Sequence, residues 1–106
     1  MGKFILALKK DFMLIQHKMQ GSRGAYFVEE DGNILAEIIY TTPTPDTVII
    51  EHTEVGEELR GQNVGFQLVN HLVEHARINQ QKVIPICPFA KSVFDKKPDY
   101  QDVLAV

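Results

Sequence analysis

The chain has 106 residues, which is enough for one domain with one modest hydrophobic core. Its hydrophobic share of 44% and charged share of 24% are typical of an ordinary globular protein. The net charge of −3 provides no basic surface of the kind that binds nucleic acid, and the single cysteine, Cys87, excludes an internal disulfide.

The first residues of the chain are the hardest to assign. Residues 1–11 fit an added strand, a short helix or a loosely held extension of the single domain 1–106. The apolar run Ile5–Leu8 ends at Lys9-Lys10-Asp11, so it is too short for a signal peptide or a membrane span. We therefore predict a cytoplasmic protein that does not bind membranes. Residues 12–17 are apolar enough to predict a first strand.

A hairpin and a further strand complete the first half of the chain. Two stretches, 25–30 and 34–40, flank Asp31-Gly32-Asn33, and Asp-Gly supplies the positive φ angles of a tight turn. Residues 42–46, with two prolines, predict a break. The β-branched stretch 47–53 predicts a central strand.

The second half alternates helices with one strand. A helix is predicted after residue 65, ending at 79–81, with one apolar stripe: Leu68, Val69, Leu72, Val73 and Ala76. Residues 82–87 predict a short buried strand and residues 89–97 a second helix. The resulting order, β-β-β-β-α-β-α, predicts an α/β (α+β) domain with a mixed, mostly antiparallel twisted sheet. The last two strands should be parallel neighbours.

The segment between strand 47–53 and the first helix carries the clearest functional signal. It contains Arg60-Gly61-Gln62-Asn63-Val64-Gly65, immediately before the helical pattern begins. A glycine-containing loop turns backbone N–H groups toward one point, and the helix N-terminus adds partial positive charge. The sequence therefore predicts a phosphate-binding loop.

This loop resembles the Gln/Arg-x-x-Gly-x-Gly/Ala loop of the GCN5-related N-acetyltransferases. Arg60 and Gly65 match its outer positions, and Asn63 replaces the middle glycine as the next best residue for a left-handed backbone. In that family the loop amides hold the pyrophosphate of acetyl-CoA. The resemblance thus implies the acyl-CoA N-acyltransferase fold, acetyl-CoA or CoA as cosubstrate, and no metal.

A second segment extends the resemblance to residues 24–104. Cys87-x-x-Ala90-x-x-x-Phe94 has the spacing of the family's Asn-x-x-Ala-x-x-x-Tyr, in which the tyrosine protonates the departing CoA thiolate in many members. Phe94 cannot donate a proton. Very small members share His-Thr-x-Val and Pro-x-Cys-Pro-Phe, here at 52–55 and 85–89. In that subgroup the cysteine is proposed to accept the acetyl group, and a macromolecular acceptor has been considered.

The candidate catalytic residues each have a structural alternative. Cys87 fits a nucleophile, because a thiolate attacks thioesters readily, but free cysteines are also common core residues. His52 is the predicted partner that takes the thiol proton or later accepts one from the amine, unless it is a packed histidine of the sheet. Glu54 is a second candidate base that we interpret more simply as an exposed carboxylate.

The candidate cofactor-binding residues surround the loop. Val55 is expected where the separating strands expose backbone to the pantetheine arm, as the resemblance implies. Phe89 and Lys91, at the start of the last helix, fit cofactor contacts, although core packing and solvation explain them equally well. The full predicted set is Val55, Arg60, Gly61, Gln62, Asn63, Val64, Gly65, Phe89 and Lys91.

One further motif is rejected. His71-Leu72-Val73-Glu74-His75 fits the His-x-x-Glu-His pattern of inverted zinc proteases. At 100° per residue, however, His71 and Glu74 fall on the solvated face opposite the apolar stripe, with His75 beside it. A zinc hydrolase is therefore not expected.

These observations favour acetyl transfer from acetyl-CoA to an unidentified amine, either a small molecule or part of a macromolecule. An acetyl-cysteine on Cys87 is the predicted intermediate, and direct transfer is its rival. The alternative from another class is a module that binds CoA or acyl-CoA without turnover.

Overall fold

The computed structural model describes residues 14–105. The predictions for residues 1–11 and for the first two residues of the predicted strand 12–17 lie outside this range. The described elements are β1 Gln16–Gln20, β2 Arg23–Glu30, β3 Asn33–Thr44, β4 Thr47–Val55, α1 Val64–Ile78, β5 Lys82–Pro85 and α2 Pro88–Lys96. Short 3₁₀ turns at Glu57–Leu59 and Pro98–Tyr100 precede α1 and follow α2.

The strands form one five-stranded sheet in the order β1-β2-β3-β4-β5. Neighbouring strands are antiparallel except β4 and β5, which are parallel and are connected through α1. This is the predicted mixed, mostly antiparallel sheet with two main helices, and the predicted fold class is confirmed.

The turns decide where the strands begin and end. The β2–β3 turn has Asp31 at φ 53° and Gly32 at φ 81°, so the predicted hairpin is confirmed. The predicted break at 42–46 is mostly wrong, because β3 runs through Pro43 to Thr44. Its pairing with β4 shifts register between Thr41 and Thr44, and an irregular ladder tolerates a proline.

The first strand is displaced from its prediction. Leu14 and Ile15 lie outside β1, which continues past His17 to Gln20. The pairing with β2 explains the shift, since Gln16 lies opposite Phe27 and Gln20 lies opposite Arg23 at the turn. The strand is therefore defined by its partner and not by the apolar run that precedes it.

Both helices contribute to a single hydrophobic cluster against one face of the sheet. The predicted stripe of α1 is fully buried, and from the sheet Ile38, Ile50 and Val83 have no exposed surface. Ala90, Val93 and Phe94 of α2 belong to the same cluster. Within residues 14–105 no helix is both long and apolar enough to cross a membrane.

Candidate active site

The site lies where β4 and β5 separate. The two strands pair from Thr47–Lys82 to Ile50–Pro85, and β4 then continues alone on this side to Val55. The Ile86 and Cys87 N–H groups both donate to the Ile50 carbonyl, at 3.1 and 3.3 Å. Because two donors converge on one acceptor, the ladder stops there, and the predicted strand 82–87 ends at Pro85.

The predicted phosphate loop closes one end of this gap. Gly61 has φ 82° and Asn63 has φ 62°, so the asparagine adopts the left-handed conformation expected of the family's middle glycine. Asn63 is also the residue that precedes α1, and its side chain makes no capping hydrogen bond. The first N–H groups of an α-helix have no partner within the helix, so this end of α1 can donate to an anion.

An open cavity of about 270 Å³ lies between the loop, β4 and the start of α2. Gln62 and Lys91 do not line it: the Gln62 side chain donates to the Glu58 carbonyl, and Lys91 is exposed on α2. The structure thus brings seven of the nine predicted cofactor-binding residues to one cavity. The lining residues are Val55, Leu59, Arg60, Gly61, Asn63, Val64, Gly65, Phe66 and Phe89.

Gly65 has a packing role in this cavity. A Cβ atom at this position would lie 2.7 Å from Cζ of Phe89, which is closer than van der Waals contact allows. The absent side chain lets the Phe89 ring cross the start of α1, while 41% of the phenylalanine surface stays exposed. Gly65 therefore links the loop to α2.

Cys87 lies at the opposite end of the gap and is only 7% exposed. It is the residue before α2, and its sulfur accepts a hydrogen bond from the Ala90 N–H at 3.4 Å. Thr53 Oγ1 lies 3.4 Å from the sulfur, in a hydrogen bond in which either group can donate. A helix N-terminus favours negative charge, so this arrangement suits a sulfur that must carry charge transiently.

His52 reaches the same end of the sheet as Cys87 but lies on the other face. Ile39 pairs with His52 and Tyr40 pairs with Ile50, so β4 holds an extra residue between these two positions. Cross-strand partners share a face. Thr53, opposite the buried Ile38, therefore points to the helix side.

His52 instead points to the open side of the sheet. Its side chain is 55% exposed, and its Nε2 lies 3.5 Å from Glu54 Oε1. Thr53 could not be predicted as a site residue, because regular alternation from Ile50 places His52, and not Thr53, beside the core. The only signal was the shared His-Thr-x-Val segment, which does not reveal the bulge.

Phe94, at the position of the family's catalytic tyrosine, is buried and packs on Tyr100 with ring centroids 5.3 Å apart. The Tyr100 hydroxyl donates to Asn70 Oδ1 at 2.6 Å. Burial and the nearby Asp99 raise the pKa of Tyr100. Its proton is thus committed to a structural hydrogen bond.

The rejected zinc motif lies away from this gap. His71 and Glu74 are exposed on α1, as expected. His75 is half-buried and contacts the sheet, with its ring centroid 5.4 Å from that of His17 and 6.0 Å from that of Tyr26. In the part of the chain described, no group of three or more His, Cys, Asp or Glu residues could hold a metal ion.

Comparisons with known proteins assign the family. The family described as GCN5-related N-acetyl-transferase matches residues 25–103. A GCN5-like protein from Staphylococcus aureus is 38% identical over 85% of this chain and 87% of its own, with a TM-score of 0.67. A comparison with curated proteins found no match.

More distant structures share the fold alone. Tetrahymena GCN5 has a TM-score of 0.59 at 14% identity, over 73% of this chain and 51% of its own. An Elizabethkingia anophelis acetyltransferase with acetyl-CoA bound has a TM-score of 0.55 at 17% identity, over 73% and 53%. The family match and the S. aureus relative show that the chain belongs to the GCN5-related N-acetyltransferases, enzymes that transfer an acetyl group from acetyl-CoA to an amine.

Proposed function

We propose that this chain acetylates an amine through a transient acetyl-cysteine on Cys87. The observation that carries the proposal is the position of the Cys87 sulfur. It lies at the N-terminus of α2, at the end of the gap between β4 and β5, with two hydrogen-bond partners. Phe94 offers no proton at the position of the family's usual acid, which also favours a route through the thiol.

The phosphate loop is the proposed binding site of the acetyl-CoA pyrophosphate. Backbone N–H groups of the loop and of the start of α1 would donate to it. The Arg60 side chain lies 3.6 Å from Glu57 Oε2, and because this ion pair is exposed, the guanidinium can leave it to approach the phosphate. Gln62 and Lys91 take part only from the rim in this proposal, Gln62 through its backbone and Lys91 through its charge. The E. anophelis neighbour, which shares the fold, has acetyl-CoA bound, and this supports acetyl-CoA as the ligand.

The pantetheine arm would follow the free edge of β4. The Gly56 N–H donates to the Leu35 carbonyl of β3 at 2.7 Å. Because successive residues of a strand turn their backbone groups to opposite sides, Val55 presents its N–H and carbonyl to the gap. The Phe89 ring, at the start of α2, supplies an apolar wall for the arm.

The proposed reaction has two steps. First, the Cys87 thiolate attacks the thioester carbonyl, the bond from carbon to the CoA sulfur breaks, and CoA leaves with the proton that Cys87 has lost. Then the acceptor ammonium gives one proton to His52 at the open face of the sheet, and His52 releases it to solvent. The free amine enters the gap between β4 and β5 and attacks the acetyl-cysteine there. The second amine proton returns to the Cys87 sulfur as the amide forms.

Intact mass after incubation with acetyl-CoA tests this proposal. We expect one added acetyl group on the wild type and none on Cys87→Ala, with turnover on an amine panel reduced by roughly a hundredfold or more. Cys87→Ser is the matched control for the structural role of the side chain, since its hydroxyl can still accept the hydrogen bond at the start of α2. Circular dichroism verifies that both variants fold.

Three other outcomes would contradict the proposal in distinct ways. Unchanged turnover in Cys87→Ala would establish direct transfer. Binding of acetyl-CoA without transfer to any amine would indicate a binding module. Failure to bind acetyl-CoA would contradict the proposal that the phosphate loop binds its pyrophosphate.

A further inference from the structure

We infer that Thr53, and not His52, is the side chain of β4 that positions the Cys87 sulfur. This inference rests on the proposed function, because it matters for acetyl transfer only if Cys87 reacts. The structure supplies two independent observations: a contact between the threonine hydroxyl and the sulfur, and a bulge in β4 that turns this hydroxyl toward it.

The bulge determines which side chain of β4 faces Cys87. Ile50 and Thr53 both point to the helix side, although regular alternation would place them on opposite faces. The extra residue between them restores the inward direction at Thr53, three residues after Ile50. Without the bulge, the next inward position after Ile50 would be His52.

The hydroxyl is held firmly in this direction. Thr53 is half-buried and pairs with Ile38, a side chain with no exposed surface. A β-branched side chain on a strand has few χ1 conformations, so its Oγ1 stays near the sulfur without a large loss of entropy. The Ala90 N–H donates to the sulfur from α2, so the sulfur has one hydrogen-bond partner on β4 and one on α2, the two elements that border the gap.

A hydroxyl suits a sulfur that changes charge. It accepts a hydrogen bond from the neutral thiol and, after rotation about its C–O bond, donates one to the thiolate. No heavy atom has to move between these states. Thr53 itself gains and loses no proton in the reaction, since the thiol proton leaves with CoA. Its effect is to stabilise the thiolate and to fix the direction of its attack.

Alkylation of Cys87 by iodoacetamide, followed across pH, tests the inference without acetyl-CoA. Removing the hydroxyl in Thr53→Val removes a donor to the thiolate, so we expect alkylation at neutral pH to slow by roughly threefold to tenfold. The midpoint of the pH profile should move upward. Thr53→Ser keeps the hydroxyl and should stay within about twofold of the wild type.

Two further variants separate this effect from packing. Thr47→Val makes the same change on β4 at a threonine whose hydroxyl lies 3.5 Å from Asp46 Oδ1, and it should leave the profile unchanged. Thr53→Ala is a second variant without the hydroxyl, should the valine disturb folding. An unchanged profile in Thr53→Val, or an equal slowing in Thr53→Ser, would overturn the inference.

The two proposals can fail separately. If Thr53→Val slows alkylation but the wild type forms no acetyl adduct, the covalent route fails while Thr53 still holds the sulfur. If the adduct forms and Thr53→Val forms it as fast as the wild type, the covalent route stands and the inference is wrong. If both hold, single-turnover acetylation slows in Thr53→Val while the Kd for acetyl-CoA stays unchanged.

Discussion

The two halves of β4 differ in what they contact. Residues 47–50 pair with both β3 and β5, and their inward side chains, Val48 and Ile50, are buried in the core. Residues 51–55 pair with β3 alone and carry a threonine, a histidine and two glutamates. The two halves meet at the bulge that follows Ile50. The Ile50 carbonyl accepts hydrogen bonds from the N–H groups of Ile86 and Cys87, the two residues after β5.

This difference shows how one strand serves both folding and chemistry. In the paired half every inward side chain contributes hydrophobic burial, which is the main source of stability. In the unpaired half the backbone is open to a ligand and a polar side chain faces a sulfur. Substitutions in the first half should change the free energy of unfolding, and those in the second should change reactivity.

The largest expected effect comes from the paired half. Ile50→Ala removes three buried carbons from a side chain with no exposed surface, and we expect a loss of about 2–5 kcal/mol in the free energy of unfolding. Urea unfolding measures it, with Ile50→Val as the graded control at about 0.5–1.5 kcal/mol. A loss as small in the alanine as in the valine variant would contradict the division between the halves.

A smaller effect is expected at the edge of the cavity. Gly65→Ala places a methyl group against the Phe89 ring, which must move, and the expected cost is about 1–3 kcal/mol. The affinity for acetyl-CoA should fall as well, since the displaced ring lines the proposed site. Calorimetric titration and urea unfolding measure the two effects.

Replacing Phe89 shows whether its ring is the reason that Gly65→Ala destabilises the protein. In a Phe89→Ala background the contact is absent, and alanine is favoured over glycine in a helix by about 1 kcal/mol. Gly65→Ala should then be neutral or stabilising. If it destabilises both backgrounds equally, the glycine matters for a reason other than Phe89.

The fold and the phosphate loop were largely predictable from sequence, and the surroundings of Cys87 only in part. The stripe of α1, the Asp31-Gly32 turn and the left-handed Asn63 follow from local rules that the structure confirms. The end of β5 depends on two N–H groups that meet at the Ile50 carbonyl. The inward direction of Thr53 depends on how many residues β3 and β4 place opposite each other. No local pattern in residues 47–55 encodes that count.

A similar limit applies to the packing of β1 against α1. The helical pattern correctly places His71 and Glu74 on the exposed face, but it does not show what lies beside His75. The neighbour is His17, which comes from a strand whose position is set by pairing with β2. Contacts between distant segments of this kind require the register of the whole sheet.

The smallest predicted effect is a loss of stability at low pH that arises from His17. It should change the stability of the fold without changing the reactivity of Cys87. Partial burial and the neighbouring His75 lower the pKa of His17 below its usual value. Its Nε2 lies 2.6 Å from the Tyr40 hydroxyl, whose own pKa is raised by burial, so we infer that the tyrosine donates to a neutral ring. Because the unfolded chain binds this proton more readily, stability should be full above about pH 6.5 and should fall as the pH drops toward the folded-state pKa.

Thermal unfolding at pH 7.5 and at pH 5.5 measures this effect. The wild type should lose more stability between the two pH values than His17→Gln, which can still bond to Tyr40 but does not titrate. An equal loss in both proteins would assign the pH dependence to other groups. The reactivity of Cys87 supplies the second measurement. The pH profile of its alkylation should be the same in the wild type and in His17→Gln, because His17 lies in β1 and the sulfur lies beyond β4 in the sheet order. A shift of that profile in His17→Gln would mean that the two ends of the sheet are coupled. The aromatic contacts of β1 would then affect reactivity as well as stability.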